Sequence, residues 1–280
     1  DALIANTGGN NNIAIGRYVG GDITTGAANI CIGSYDATYQ PAGRVITTGD
    51  YNICIGTGAL SATTTGDGNV AVGYGALQNN VAANNNTCIG RNTLNAISGS
   101  SAQDNTGVGR DAGAAITTGQ ENCCIGYAAG TNQSPSGEIT TGSRAVVLGD
   151  NAITHSYIKV DWTVTSDRRD KTDIEPFNHG LSWINKLNPV TYRWDNRSDY
   201  EDGIPDGSKK GTQLNVGLIA QDEIEVEKEH GYGDTPDNML VTNVNVDGNY
   251  GMQYSKLVPI LINAVKELST KNDELAAEIA

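Results

Sequence analysis

The sequence has no lysine before Lys159, no tryptophan before Trp162 and one phenylalanine, Phe177. A first half without Trp or Phe has few of the platforms on which glycan-cleaving sites usually stack sugar rings. Its acids, such as Asp104, Asp111 and Glu121, are isolated, whereas such sites need paired carboxylates. There are five cysteines, no Cys-x-x-Cys pair, and three histidines far apart in the chain (His155, His179, His230), so no zinc site or other metal and no cofactor is expected. The formal net charge of -14 is spread over both halves, which argues against nucleic acid as a partner. No apolar run is long enough to span a membrane. Residue 1 is Asp with no signal sequence after it, so the expectation is a fragment or processed product whose N-terminal region lies outside this sequence.

What the first half has is glycine and a repeat. Of 35 glycines, 26 precede residue 150. The motif Asn-(Ile/Val/Thr/Cys)-small-(Ile/Val/Leu)-Gly begins at Asn12, Asn29, Asn52, Asn69, Asn86, Asn105 and Asn122, then decays to Ala145-Val-Val-Leu-Gly149. Successive closing glycines are 17, 23, 17, 17, 19, 17 and 23 residues apart. Such a period predicts a solenoid, whose coils bury their apolar sides by stacking on their neighbours. The apolar residues sit two apart around a small one, the spacing of a strand with one face buried. The closing Gly suits a positive-φ turn, and the leading Asn can cap that turn or ladder with its equivalents. The two long steps place extra residues in Ser34–Val45 and Thr131–Ile139, predicted to be outward loops, where binding function usually lives. Cys31, Cys54, Cys88 and Cys124 fill the small slot as buried hydrophobes, and a disulfide requires stacked coils to bring two within reach.

Composition changes near residue 155, giving two expected domains: a glycine-rich β-solenoid shaft over 1–155 and a small α/β domain over 156–280. In the second, Tyr157–Val164 reads as a strand, Asn178–Leu187 as a helix ending before Pro189, and Val190–Trp194 and Leu214–Ala220 as strands. Gln221–Lys228 reads as a short acidic helix, and Met239–Val246 with Tyr250–Tyr254 as a hairpin around Asp247-Gly248-Asn249. From about Ser255 the chain reads as a helix with a heptad seam. Val258, Val265, Asn272 and Ile279 stand at a, and Leu261, Leu268 and Leu275 at d, which is coiled-coil patterning with one register-setting Asn. An amphipathic helix packed on its own domain is the alternative.

Thr165-Ser-Asp-Arg-Arg-Asp-Lys-Thr-Asp-Ile174 follows the first of these strands. Taken alone it reads as Ser166 or Asp167 capping a turn beside a solvated Lys171. Its company changes that reading. Together with Leu181–Trp194, Val216–Gln221 and Tyr254–Leu268, in that order, it resembles the C-terminal intramolecular chaperone domain of bacteriophage tailspikes and tail fibres, the endosialidase type, over about residues 156–280. The resemblance implies a homotrimer, a chaperone that guides the upstream β-fibre to fold, and self-cleavage before the serine of a Ser-Asp-x-Arg-x-Lys motif. That motif maps onto Ser166, Asp167, Arg169 and Lys171. The implied scissile bond is Thr165–Ser166, giving a mature shaft 1–165 and a released chaperone 166–280. The repeats are similar to those of trimeric adhesin heads and other phage fibres, left-handed β-rolls with three chains side by side.

A serine hydroxyl becomes a nucleophile when a neutral lysine takes its proton. Burial at a trimer interface and the neighbouring Arg168 and Arg169 would favour the neutral amine. Ser166 and Lys171 lie on opposite faces of a strand and apart around a helix, so a turn must intervene, or the lysine must reach a neighbouring chain. The expected roles are Ser166 as nucleophile, Lys171 as general base, and Asp167 and Arg169 positioning the loop, in a single-turnover serine autopeptidase. The implied whole is a virion tail fibre or spike assembled in the host cytoplasm, with a host-surface receptor and other tail proteins as partners. A trimeric bacterial adhesin and a glycan depolymerase tailspike are the alternatives.

Overall fold

The computed structural model describes every residue except Asp36, Ala37, Tyr39, Val246, Asp247 and Ala280. Its contacts divide it into two compact units, Asp1–Thr154 with Arg197–Ile204, and His155–Asn196 with Pro205–Ala280.

The first unit is a β-solenoid. Three-residue strands β1 (Ile13–Ile15), β2 (Ile30–Ile32), β3 (Ile53–Ile55), β4 (Val70–Val72), β5 (Thr87–Ile89), β6 (Thr106–Val108), β7 (Cys123–Ile125) and β8 (Val146–Leu148) pair in chain order into one sheet. All the pairings are parallel and keep motif on motif, with Cys31 facing Cys54 and Ala71 facing Cys88. Each leading Asn makes the ladder. Asn52 donates its backbone N–H (2.9 Å) and its Nδ2 (3.1 Å) to Asn29 Oδ1, gives Nδ2 to Gly66 O (2.8 Å), and accepts from Asn69 N (3.0 Å). The same exchange runs from Asn12 to Asn122, and even the decayed copy joins it, through Ala145 N to Asn122 Oδ1 (3.0 Å). A buried amide side chain has four hydrogen-bonding positions, and this geometry uses both ends of it in every coil. The closing glycine is needed for two reasons. Gly73 sits at φ 141°, and a Cβ there would come 2.4 Å from Gly90 O in the next coil.

The cysteine slot is buried as expected, and the apolar pair beside it takes the other face. The small central residue of each strand, not the apolar pair flanking it, faces the core: Cys31, Cys54, Ala71, Cys88 and Cys124 are fully buried, while Ile13 and Ile15 are 50% and 58% exposed. The coil interior is already filled by long side chains from the turns, including Ile23, Ile46, Leu60, Leu77, Leu94 and Ile116. Only a small residue fits opposite them. The flanking Ile and Val therefore form two half-exposed apolar rows along the outside. In the first long coil Ser34, Tyr35, Thr38 and Gln40 are exposed, as expected of an outward loop, Asp36, Ala37 and Tyr39 lie outside the described residues, and Pro41, Ala42 and Gly43 are buried in the wall. In the second, Ser134 and Ile139 are likewise buried.

Among the described residues the second unit holds two small antiparallel sheets and three α-helices. β9 (Val190–Tyr192) pairs with β10 (Asn215–Gly217), and β11 (Thr242–Val244) with β12 (Tyr250–Met252). The helices are α1 (Leu181–Ile184), α2 (Ala220–Glu229) and α3 (Leu257–Ile279). Trp183, Val226, Val241 and Ile260 form the core, with Phe177, Tyr232 and Met252 packed against it. The helix expected over 178–187 is short because Gly180 lies against α3, where a Cβ would meet Ala264 N at 2.6 Å. The strand expected from Met239 begins only at Thr242. Successive N–H groups of Leu240, Val241 and Thr242 all point at one carboxylate, which the alternation of a strand forbids. The expected hairpin turn includes Asp247, which lies outside the described residues. The strand expected over Tyr157–Val164 is absent: Ile158, Val160, Trp162 and Val164 are exposed, and no strand pairs with them among the described residues. A lone extended segment has nothing to complete its ladder.

Candidate functional site

A single 3-10 turn, Arg168–Asp170, follows the unpaired segment. Asp167 caps it, accepting Arg169 N at Oδ1 (2.9 Å), and the turn closes through Asp170 N to Asp167 O (3.3 Å) and Lys171 N to Arg168 O (3.2 Å). The Arg169 guanidinium forks back onto the same carboxylate, with Nη2 2.7 Å and Nε 3.2 Å from Oδ2. Arg169, first through its side chain and then through its backbone N–H, holds Asp167 below the usual carboxylate range. Asp167 and Arg169 thus lock the turn from inside.

The consequence is at its two ends. Three residues of tight turn bring the flanking residues back to one side, and Lys171 Nζ donates to Ser166 Oγ at 2.5 Å. Sequence spacing alone left open whether the pair meets within one chain. Here it does. Ser166, Lys171 and Thr165 are all exposed, so the pair is open to solvent.

The remaining predicted residues lie on α3. Its face of Ile260, Asn263, Ala264 and Glu267 docks on the unit's own structure: Asn263 Nδ2 donates to Phe177 O (2.6 Å), and Leu181 N donates to Glu267 Oε2 (3.0 Å). The heptad seam is a different face. Val258, Leu261, Val265, Leu268, Asn272, Leu275 and Ile279 are exposed, Leu268 by 48%. The helix packs on its own domain and still presents an open apolar stripe.

Sequence reasoning missed the polar heart of this unit. Glu227, fully buried, accepts Leu240 N at Oε2 (2.8 Å), and at Oε1 Val241 N (2.9 Å), Thr242 N (2.7 Å) and Thr242 Oγ1 (2.9 Å). One turn earlier Glu223 accepts Trp183 Nε1 (2.8 Å) at Oε1, while its Oε2 is buried with no partner. Burial, against the Trp183 bond and helped by Glu227, pushes the Glu223 carboxyl up to about 7. His230 stacks on Trp183 at 4.7 Å, and His179 meets His230 edge-on at 5.0 Å, so two histidines distant in sequence converge in an aromatic cluster. The available signal was the pair of acids four apart on one face of α2 beside Ile224, an arrangement a purely solvated acidic helix does not need.

Residues 166–232 match the model of the family described as chaperone of endosialidase (Peptidase_S74). The match starts on Ser166 itself and excludes the solenoid. No curated protein and no solved structure matches the chain. Among the described residues no helix is long and apolar enough to cross a membrane.

Proposed function

We propose that the chain is part of a bacteriophage tail fibre or tailspike that binds a host surface, and that its C-terminal region drives trimeric folding and then cuts the chain once, between Thr165 and Ser166. The observation that carries this reading is the 2.5 Å contact between Lys171 Nζ and Ser166 Oγ across an Asp167-capped turn, at the residue where the family match begins.

Ser166 Oγ attacks the carbonyl carbon of Thr165, and Lys171 as neutral amine takes the hydroxyl proton. The C–N bond breaks, the nitrogen gains a proton and becomes the free α-amine of Ser166, and an ester joins Thr165 to Ser166 Oγ. Water hydrolyses the ester and releases 1–165 with a new carboxylate. The base must be unprotonated, and enclosing an ammonium in an interface favours that form. Assembly would therefore switch the exposed pair on. Three apolar features left open in the single chain support a trimer: the outer Ile/Val rows of the solenoid, the alternating segment Ile158–Val164, and the α3 seam. Burying them between copies takes these exposed apolar side chains out of water.

Intact mass of freshly expressed chain tests the chemistry. Fragments 1–165 and 166–280 are expected without added protease, and full-length chain alone from Ser166→Ala and from Lys171→Ala. Cleavage persisting in Ser166→Ala contradicts the assignment.

A further inference from the structure

Cys31 and Cys54 hold the same slot in neighbouring coils. They are register partners between β2 and β3, both are completely buried, and their Sγ atoms lie 3.5 Å apart. Both sulfurs lean into space that Gly43 leaves open. A Cβ on that residue, at φ 57°, would come 2.6 Å from Cys31 Sγ and 3.2 Å from Cys54 Sγ. The other thiols have no such neighbour: Cys88 stacks between Ala71 and Gly107, Cys124 between Gly107 and Val147, and Cys123 between Thr106 and Val146. All five are free thiols in this structure.

We propose that Cys31 and Cys54 are a redox pair that a peroxide converts to a reversible disulfide, stapling the second coil of the solenoid to the third. The step is independent of the self-cleavage reading and goes beyond it. Peroxide transfers one oxygen to a thiol, giving a sulfenic acid and one water. The second sulfur displaces the hydroxyl, its proton leaves with that hydroxyl as a second water, and the S–S bond forms. Two thiols lose two hydrogens, and the O–O bond is reduced to two waters. In-register strands spaced about 4.8 Å apart put the two Cα atoms inside the range of about 4.4–6.8 Å that a disulfide spans. Closing the sulfurs from their present contact needs no change of register.

The position has a structural use. The chain between the two cysteines contains the first long insertion, Ser34–Val45, so the staple closes the base of the coil that carries it. A cross-link there restricts the unfolded chain and leaves the insertion itself unaltered. The thiol–thiol hydrogen bond, burial and the adjacent sulfur hold the Cys54 thiol well above its ordinary pKa. Thiolate is scarce, so the closed coil reacts slowly, and a small uncharged oxidant is the class that suits it.

The test is hydrogen peroxide treatment of the folded chain and, in parallel, of the chain while it refolds, when the thiols are reachable. The peroxide is then quenched, the chain is denatured, free thiols are alkylated and peptides are mapped without reduction. The expected result is an intact mass lower by two hydrogens, one cross-linked peptide pair joining Cys31 to Cys54, and Cys88, Cys123 and Cys124 still alkylated. Dithiothreitol should reverse the link. Cys31→Ala and Cys54→Ala should each abolish it yet fold, since Ala14 and Ala71 already occupy that slot. If Cys31 and Cys54 remain alkylatable thiols in both arms, end as sulfinic acids, or link to another cysteine, the proposal is overturned.

Discussion

Glu223 and Glu227 sit one turn apart on α2, both almost inaccessible to solvent, and differ only in what surrounds their oxygens. Glu227 is met by three backbone N–H groups and a hydroxyl, enough to replace the water it gives up. Glu223 has one indole N–H and one stranded oxygen. Its folded pKa of about 7 lies above the ordinary value of 4.5, so the native state holds a proton that the unfolded chain has lost. Stability from this group is therefore full below about pH 4.5 and falls as pH rises toward 7, by roughly 3 kcal/mol across the window. Glu223→Gln keeps the acceptor for Trp183 and removes the charge. Its urea midpoint, followed by Trp183 fluorescence, should be higher than wild type at about pH 8 and close to it at about pH 4.5. An unchanged difference between variant and wild type across that window would show that the carboxyl does not titrate there. Little of this was legible in the sequence beyond the spacing of the two acids, because the partners Trp183 and Leu240–Thr242 lie on other elements.

At the scale of the element, the solenoid coil was the most readable part of the chain. Stacking repeats one geometry, so the Asn slot and the closing Gly recur as letters. Which face each strand buries was readable only from the cysteines in the small slot, since alternation marks two faces without saying which is inside, and that the turns supply the large core residues was not readable. The Asn ladder gives a sharp test. Asn69→Ala strips the acceptor from Asn86 N and Nδ2 and the donor from Ala83 O, all buried. A loss of about 2–4 kcal/mol in solenoid stability is expected, far above the few tenths expected of a surface change. A value below about 0.5 kcal/mol would mean that the ladder is incidental. The helix α3 offers the second test. Its heptad was legible, and the structure adds that its own domain is held by a different face, leaving the seam open. Leu268→Asp places a charge in the middle of that seam, where a trimer would bury it without a partner. The variant should stay folded on its docked face, sediment as a monomer, and remain uncut. A monomeric Leu268→Asp chain that cleaves at the normal rate would show that the exposed Ser166–Lys171 pair is competent alone.

For the molecule as a whole, the proposed order of events follows from where apolar surface remains uncovered. The proposed self-cleavage motif was visible in sequence only through the company it keeps, since Ser166 and Lys171 meet across a turn whose geometry depends on Asp167 and Arg169. The exposed segment 157–164 explains why one expected strand is missing: its alternating residues have no partner within one chain. If three copies supply that partner, assembly, ordering of the residues before Thr165 and activation of Lys171 become one event. The severed solenoid then cannot retrace its folding path, and its persistence depends on an unfolding barrier rather than on equilibrium. Native mass spectrometry of wild-type chain, sampled from the start of expression, tests this most directly. The account predicts a trimer of full-length chain first, then a trimer of 1–165 with 166–280 released. Monomeric 1–165 appearing before any trimer, or a trimer that never cleaves, would contradict it.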